Sequence, residues 1–240
     1  MPVGAKAVLL FSGGMDSAVV AADARRRGRK LFGLTIDYGQ SHSAEIACAR
    51  RQAKALGFER HVVLKLPLGA VASGALVDGS AINTQGPSRG KPSTYVSFRN
   101  GVFLAAAASW AEAVEAREIW GGWCFTDQAG YPDCRPEFFR AFEAAVRSGT
   151  WAGKKGRPFR IVAPLGRLDK AATVRLGLRL GVDFGSTWTC YKPVAKGRRP
   201  CGVCDACRLR AEGFQAARVL DPLSSVAKFS AAPLPLRKRP

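Results

Sequence analysis

The apolar run Ala7-Val8-Leu9-Leu10-Phe11 passes directly into Ser-Gly-Gly-Met-Asp-Ser at residues 12–17. An unbroken apolar run of this length reads as a strand buried on both faces, the situation found in a parallel sheet covered by helices. Gly13 and Gly14 lack a Cβ, so the turn after the strand takes angles that other residues resist and lets an anion approach the backbone. The N–H groups of the turn and of the next helix's first turn then converge on that anion, with the positive end of the helix dipole behind them. Ser12 and Ser17 add hydroxyls, Met15 its backbone, and Asp16 a carboxylate for a divalent metal riding on phosphates. A lone Gly-Gly would be an ordinary strand–helix connection. The complete hexapeptide after a strand predicts a phosphate cradle. Two familiar cradles are excluded, because neither Gly-x-x-x-x-Gly-Lys-Ser/Thr nor a helix-opening Gly-x-Gly-x-x-Gly occurs.

The rest of the chain repeats the strand–helix alternation, which predicts an α/β fold built on a doubly wound parallel sheet. Strands are expected near 5–11, 30–36, 61–66, 118–123 and 159–163. Helices are expected at 16–27, 43–56, 99–116 and 136–147, and from the N-cap Asp169 to Leu180. Pro136 suits a first helical position, and Gly28, Gly57 and Gly181 suit positions just past helix ends. Residues 67–97 are rich in Gly, Ser and Pro and too long for a plain connection, so they read as a functional loop; 124–135 form a second polar loop. With 240 residues there is room for one α/β domain at 1–185, a small module at 186–222 and a basic, proline-rich tail at 223–240.

Four of the seven cysteines fall in that small module, as Cys190, Cys201, Cys204 and Cys207. The N-terminus lacks a charged region followed by a long hydrophobic one, so the clustering favours thiolates on a metal over disulfides. Four soft thiolates suit tetrahedral zinc closed to water. An iron–sulfur cluster of the ferredoxin kind would carry its fourth ligand as x3-Cys-Pro, where this chain has Arg208-Leu209-Arg210. Closed zinc fastens a segment and leaves no open position to activate water. Cys48 reads as a small buried side chain, and Cys124 and Cys134 as core or pocket wall.

The formal charge of +19 comes from 37 basic and 18 acidic residues. A charge this large fits a polyanionic partner, but Arg25-Arg26-Arg27, Arg29-Lys30 and Arg237-Lys238-Arg239 are scattered without interleaved aromatics. They read as solvated surface, and direct nucleic-acid binding is not favoured. No apolar stretch reaches membrane-spanning length, which predicts a soluble, cytoplasmic protein.

The hexapeptide resembles the pyrophosphatase (PP) loop of enzymes that cleave ATP between the α and β phosphates, which points to AMP transfer and a ligase. The likeness extends through Asp-Tyr-Gly-Gln at 37–40, Pro-Ser-Thr-Tyr-Val at 92–96, Arg99-Asn100 and Gly-Tyr-Pro-Asp-Cys-Arg-Pro-Glu-Phe at 130–138. Pro164 with Lys170, Thr-Trp-Thr-Cys-Tyr at 187–191 and Pro-Cys-Gly-Val-Cys-Asp-Ala-Cys at 200–207 complete it. In this order, over about residues 5–222, the set resembles the 7-cyano-7-deazaguanine synthase family of the queuosine pathway.

That resemblance implies a Rossmann-like fold of the adenine nucleotide α-hydrolase type and a homodimer. The implied reaction turns 7-carboxy-7-deazaguanine, ammonia and ATP into the nitrile through adenylated carboxylate and amide intermediates. It implies that Ser12, Gly13, Gly14, Met15, Asp16, Ser17 and Asp37 hold the nucleotide, with Mg2+ on Asp16. Asp16, Lys170 and Arg99 become the catalytic candidates, Lys170 for the α-phosphate region and Arg99 for phosphate or substrate carboxylate. Tyr95, Arg99, Asn100, Asp127, Tyr131 and Asp133 become substrate contacts: the carboxylates for amino and ring N–H groups, the tyrosines for stacking. Neither His42 nor His61 receives a role. Two departures stand out: Ser97-Phe98 where the family usually has Pro-Gly, and Cys124 where Asn or His commonly precedes Asp127. Both lie in loops expected to line the substrate pocket. A related reading keeps the adenylating core and changes the acceptor to another deazapurine acid, a protein or an RNA group.

Overall fold

A computed structural model describes residues 4–40, 44–83, 90–194 and 199–224. In chain order these form β1 (Lys6–Leu10), α1 (Met15–Arg26), β2 (Lys30–Asp37), α2 (Ala44–Ala55) and β3 (Arg60–Lys65). Then come α3 (Arg99–Ala113), β4 (Glu118–Trp120), α4 (Pro136–Gly149), the single turn α5 (Trp151–Lys154) and β5 (Arg160–Val162). The last elements are α6 (Lys170–Arg179) and α7 (Asp205–Ala217).

The five strands form one sheet in the order β3-β2-β1-β4-β5, and every pairing is parallel. Beside β1, Lys6–Leu10 run in register with Lys30–Leu34 of β2, while Ala7–Leu9 pair with Glu118–Trp120 of β4. Successive side chains of β1 feed opposite faces, as the two-residue period of a strand requires. Val8 packs with Leu104, Ala107 and Ala111 of α3 and with Phe139 of α4. Ala7 and Leu9 pack on the other face with Val19 and Val20 of α1, Val174 of α6 and Phe214 of α7. The chain order reverses between β1 and β4, and the crevice beyond the carboxyl ends of those strands is where such sheets bind ligands.

The predicted elements are present, with shifted ends. Asp169 caps α6 by accepting from Ala172 N at 2.7 Å. The fourth strand stops at Trp120, three residues short of expectation, because Gly121 and Gly122 peel off to line the crevice. The expected start of α2 at Ser43, His42, and the tail from 225 onward, including Arg237-Lys238-Arg239, lie outside the described residues. Glu118, at the buried start of β4, accepts from Arg29 Nε at 2.7 Å and Trp120 Nε1 at 2.9 Å. Its charge is therefore satisfied inside the core.

The sequence does not mark helix α7, since cysteines, arginines and Gly213 interrupt its apolar pattern. Gly213 explains how it docks: a Cβ there would stand 2.9 Å from Lys170 Cβ, so its absence lets α7 close against the start of α6. Residues 67–83 and 90–97 are a draped segment whose Leu76, Thr94 and Val96 are buried. No helix among the described residues is long and apolar enough to cross a membrane.

Candidate nucleotide and substrate pocket

A cavity of about 300 Å³ opens at the carboxyl ends of β1, β2 and β4. Its wall joins the phosphate-cradle sequence to aromatic residues just after β2, on α3 and on either side of Cys190. The cradle is tightly built. Gly13 has φ +84°, and a Cβ on it would lie 2.5 Å from Ala49 N and Glu45 O of α2, so only glycine fits. Ser17 Oγ accepts from Gly13 N at 3.2 Å and donates to Gly14 O at 3.0 Å, while Ser12 Oγ accepts from Gly14 N at 3.1 Å. Gly14 is the N-cap of α1 and has no side chain to satisfy the N–H groups of Met15, Asp16 and Ser17. Those groups are the ready-made anion site of a helix start.

Asp16, in the first turn of α1, meets Lys170 at the start of α6: Nζ donates to Asp16 Oδ2 at 2.7 Å. Burial works against the lysine's charge, but Asp16, Cys124 and Asp127 outweigh it and hold the amine above the ordinary lysine range. Asp16 Oδ1 is buried without a hydrogen-bond partner among the described residues. A carboxylate oxygen left bare beside a phosphate cradle fits a divalent cation. Cys124 lies just behind, with its Sγ 3.4 Å from Lys170 Nζ, and burial followed by Asp16 raises its thiol well above the ordinary range. Asp127 Oδ2 accepts from Cys124 N at 3.0 Å; burial raises this carboxyl above its usual value although Lys170 pulls it down.

The opposite end of the cavity is aromatic. Arg99, first residue of α3, lies over the rings of Tyr38 (5.6 Å) and Phe103 (5.9 Å), with a long 3.4 Å bond to Tyr38 Oη. It has no carboxylate partner among the described residues, so its charge faces the cavity unpaired. Burial pushes the Tyr38 hydroxyl up to about 12 despite Arg99. Asn100 also lines the cavity, yet its side chain is committed: Nδ2 donates to Cys134 Sγ at 3.2 Å and Oδ1 accepts from Trp123 Nε1 at 3.2 Å. Tyr131 reaches the wall with its hydroxyl 2.6 Å from Thr94 Oγ1.

The cavity thus brings together Ser12, Gly14, Met15, Asp16, Ser17, Arg99, Asn100, Asp127, Tyr131 and Lys170 of the sequence candidates. Others stand outside its wall. Gly13 supports the cradle from behind, and Asp37 sits at the end of β2. Tyr95 lies 6.1 Å from the Tyr131 ring. Asp133 is buried; its Oδ2 accepts from Asn100 N at 2.9 Å, capping α3, and its Oδ1 has no partner among the described residues. Of the two departures, neither Ser97-Phe98 nor Cys124 belongs to the wall. Phe98 caps α3 in a left-handed conformation (φ +53°), half exposed, with its ring edge-on to Phe138. Wall residues the sequence reading passed over include Tyr38, Phe103, Trp123, Thr189, Tyr191 and Asp205. Tyr38 directly follows the carboxyl end of β2, a position that could have flagged it; nothing local marks Phe103 or Asp205.

Beside this cavity the sulfurs of Cys190, Cys201, Cys204 and Cys207 all lie within 4.8 Å of one another, Cys201 and Cys207 being 4.0 Å apart. A tetrahedron of thiolates with bonds of about 2.3 Å has edges of about 3.8 Å, so the set fits one metal ion. The cluster packs with Cys48 and Trp188 and meets one of the sheet's cores through Ile82 and Tyr191.

The chain is 48% identical over 217 residues to the 7-cyano-7-deazaguanine synthase of Pseudomonas fluorescens (strain SBW25), covering 90% of this chain and 96% of that one. With the enzyme of the same name from Azotobacter vinelandii, identity is 49% over the same coverage. Among solved structures, a 4-thiouridine synthetase–RNA complex with bound ATP shares the fold, with a TM-score of 0.52 and 19% identity. That match covers 90% of this chain and 52% of the other. The family model described as queuosine biosynthesis protein QueC matches residues 6–218, from the first strand to just past the end of α7, and the chain belongs to that family.

Proposed function

We propose that the chain is an ATP-dependent ligase, a 7-cyano-7-deazaguanine synthase, which converts 7-carboxy-7-deazaguanine and ammonia to the nitrile. One observation carries the reading: a single cavity holds both a phosphate cradle with its Asp16–Lys170 pair and, at its other end, an unpaired guanidinium among aromatic rings. That is a site for a polyphosphate beside a planar ring bearing an acid. A carboxylate resists ammonia until one oxygen becomes a good leaving group. Attack of that oxygen on the α-phosphorus expels pyrophosphate, and ammonia then displaces AMP to give the amide. A second adenylation, on the amide oxygen, lets AMP leave with both amide protons lost, which forms the nitrile.

The protein's part in this scheme is positioning and charge stabilisation. The cradle of residues 12–17 takes the β and γ phosphates, with Asp37 flanking the nucleotide. Lys170 serves the α-phosphate, held ready by Asp16. Asp16, whose Oδ1 is buried without a hydrogen-bond partner among the described residues, would hold Mg2+, which would supply countercharge to the phosphates. Arg99 receives the substrate carboxylate, Asp127 serves the ring amino and N–H groups and Tyr131 flanks the base, while Asn100 holds the wall, Asp133 supports it from behind through Asn100 N, and Tyr95 backs Tyr131. The four cysteines would hold Zn2+ as a structural ion. In this assignment residues 1–185 carry the nucleotide chemistry and 186–222 the zinc module, in a cytoplasmic homodimer using ammonia. The test is mass spectrometry of products from purified protein with 7-carboxy-7-deazaguanine, an ammonium salt, magnesium and ATP. Nitrile with AMP is expected. Amide or AMP without nitrile would mean that the second step has diverged, and the absence of both products would overturn the reading in favour of another acceptor.

A further inference from the structure

Gln52 is out of place on its helix. It lies on the buried face of α2 beside Cys48, Ala49 and Ala53, where an apolar side chain would serve packing better. Its Nε2 donates to two backbone carbonyls, Gly13 O at 2.9 Å and Ser186 O at 3.1 Å. Facing two acceptors, this end of the amide must be the nitrogen. Gly13 O receives a second bond from Trp188 N at 3.0 Å. One carbonyl of the cradle is therefore held by two donors, one from α2 and one from the segment leading into the cysteine cluster.

The consequence follows from peptide geometry. In a planar trans peptide the N–H points opposite to the C=O. Pinning Gly13 O toward Gln52 and Trp188 thus aims Gly14 N the other way, toward Ser12 Oγ and the cavity that Ser12 and Gly14 line. Gly13 itself has a backbone conformation that glycine leaves soft, so an external tether is needed to keep the peptide from rotating. We infer that Gln52 is the positioning residue of the phosphate cradle: it never meets the ligand, but it orients the Gly13–Gly14 peptide and ties the cradle to the cysteine module through Ser186. The inference rests on the reading of residues 12–17 as a phosphate site.

The probe is magnesium pyrophosphate, titrated calorimetrically into the full chain and into Gln52→Met and Gln52→Glu. Methionine keeps the length without the donor, and glutamate keeps the shape while turning an acceptor on both carbonyls. Losing two neutral hydrogen bonds should weaken pyrophosphate binding about tenfold or more and raise KM for ATP alike. KM for the carboxylate substrate and the metal content per chain should stay unchanged, a split that general loosening of the fold would not produce. If one variant fails to fold, the other carries the same comparison. Variants that bind pyrophosphate within twofold of the native chain, or that raise both KM values equally, overturn the inference alone. A native chain that binds no pyrophosphate overturns the phosphate reading and the inference with it.

Discussion

Replacing Lys170 by methionine isolates the charge at the centre of the cavity. Methionine keeps the stem that packs under Gly213 and removes the ammonium that bonds Asp16 at 2.7 Å. The side chains of Lys170 and Asp16 are 12% and 25% exposed, so the pair is neither a surface bridge nor fully dry. Unit charges roughly 4 Å apart attract by about 4 kcal/mol at an effective dielectric of about 20. The water still reaching Asp16 and the cost of desolvating the ammonium both reduce that figure. A net loss of about 2–3 kcal/mol follows, below the ~3–5 typical when one partner of a fully buried pair is removed. Asp16 would then hold a charge with neither oxygen partnered, since Oδ1 has no partner already. Lys170 keeps its proton above the ordinary lysine range, so its contribution is complete at pH 7 and is lost only in strong alkali. The assay is urea unfolding of native, Lys170→Met, Asp16→Asn and the double variant at pH 7. The double variant should lose about 2 kcal/mol less than the sum of the single losses. Additive effects, or a Lys170→Met loss under about 0.5 kcal/mol, would refute the argument that the two charges hold each other.

Other perturbations test separate parts of the molecule. Arg29 and Trp120 lower the Glu118 carboxyl below its ordinary value despite burial, so its stabilisation is present above about pH 4.3 and disappears as pH falls through the lowered value. Glu118→Gln should cost about 2–4 kcal/mol at pH 7 and flatten the acid limb of the stability–pH curve; an unchanged acid limb would count against it. Cys204→Ser should abolish stoichiometric metal by elemental analysis and lower Tm before it alters chemistry, because a closed thiolate site contributes folding energy. A metal-free variant with native Tm would contradict that role. Arg99→Met should raise KM for the carboxylate substrate by about tenfold to a hundredfold, as expected for losing a charge-assisted bond, with KM for ATP little changed. An unaltered KM for that substrate would remove Arg99 from the acid's site.

Local chemistry wrote much of this protein directly into its sequence. The run from Ala7 to Ser17 specifies strand, turn and helix start because each step depends on neighbours in the chain: apolar continuity, missing Cβ atoms and an uncapped first turn. The four cysteines are readable for the same reason, since three of them sit within seven residues and thiolates at that spacing have few other uses. Tertiary structure decided the rest. Helix α7 is stable where its own pattern is poor because Gly213 lets it close on α6. Lys170 and Asp16 are 154 positions apart and meet only because α1 and α6 lie on the same face of the sheet. Asp133 looks like a loop ligand in sequence and stands buried as the cap of α3. Arg99 has the sequence of any helix-start arginine; its unpaired charge exists only once Tyr38 and Phe103 surround it. Spacing along a chain dictates which groups local geometry brings together, whereas the burial that gives a charge its energy depends on segments that only the folded sheet makes neighbours.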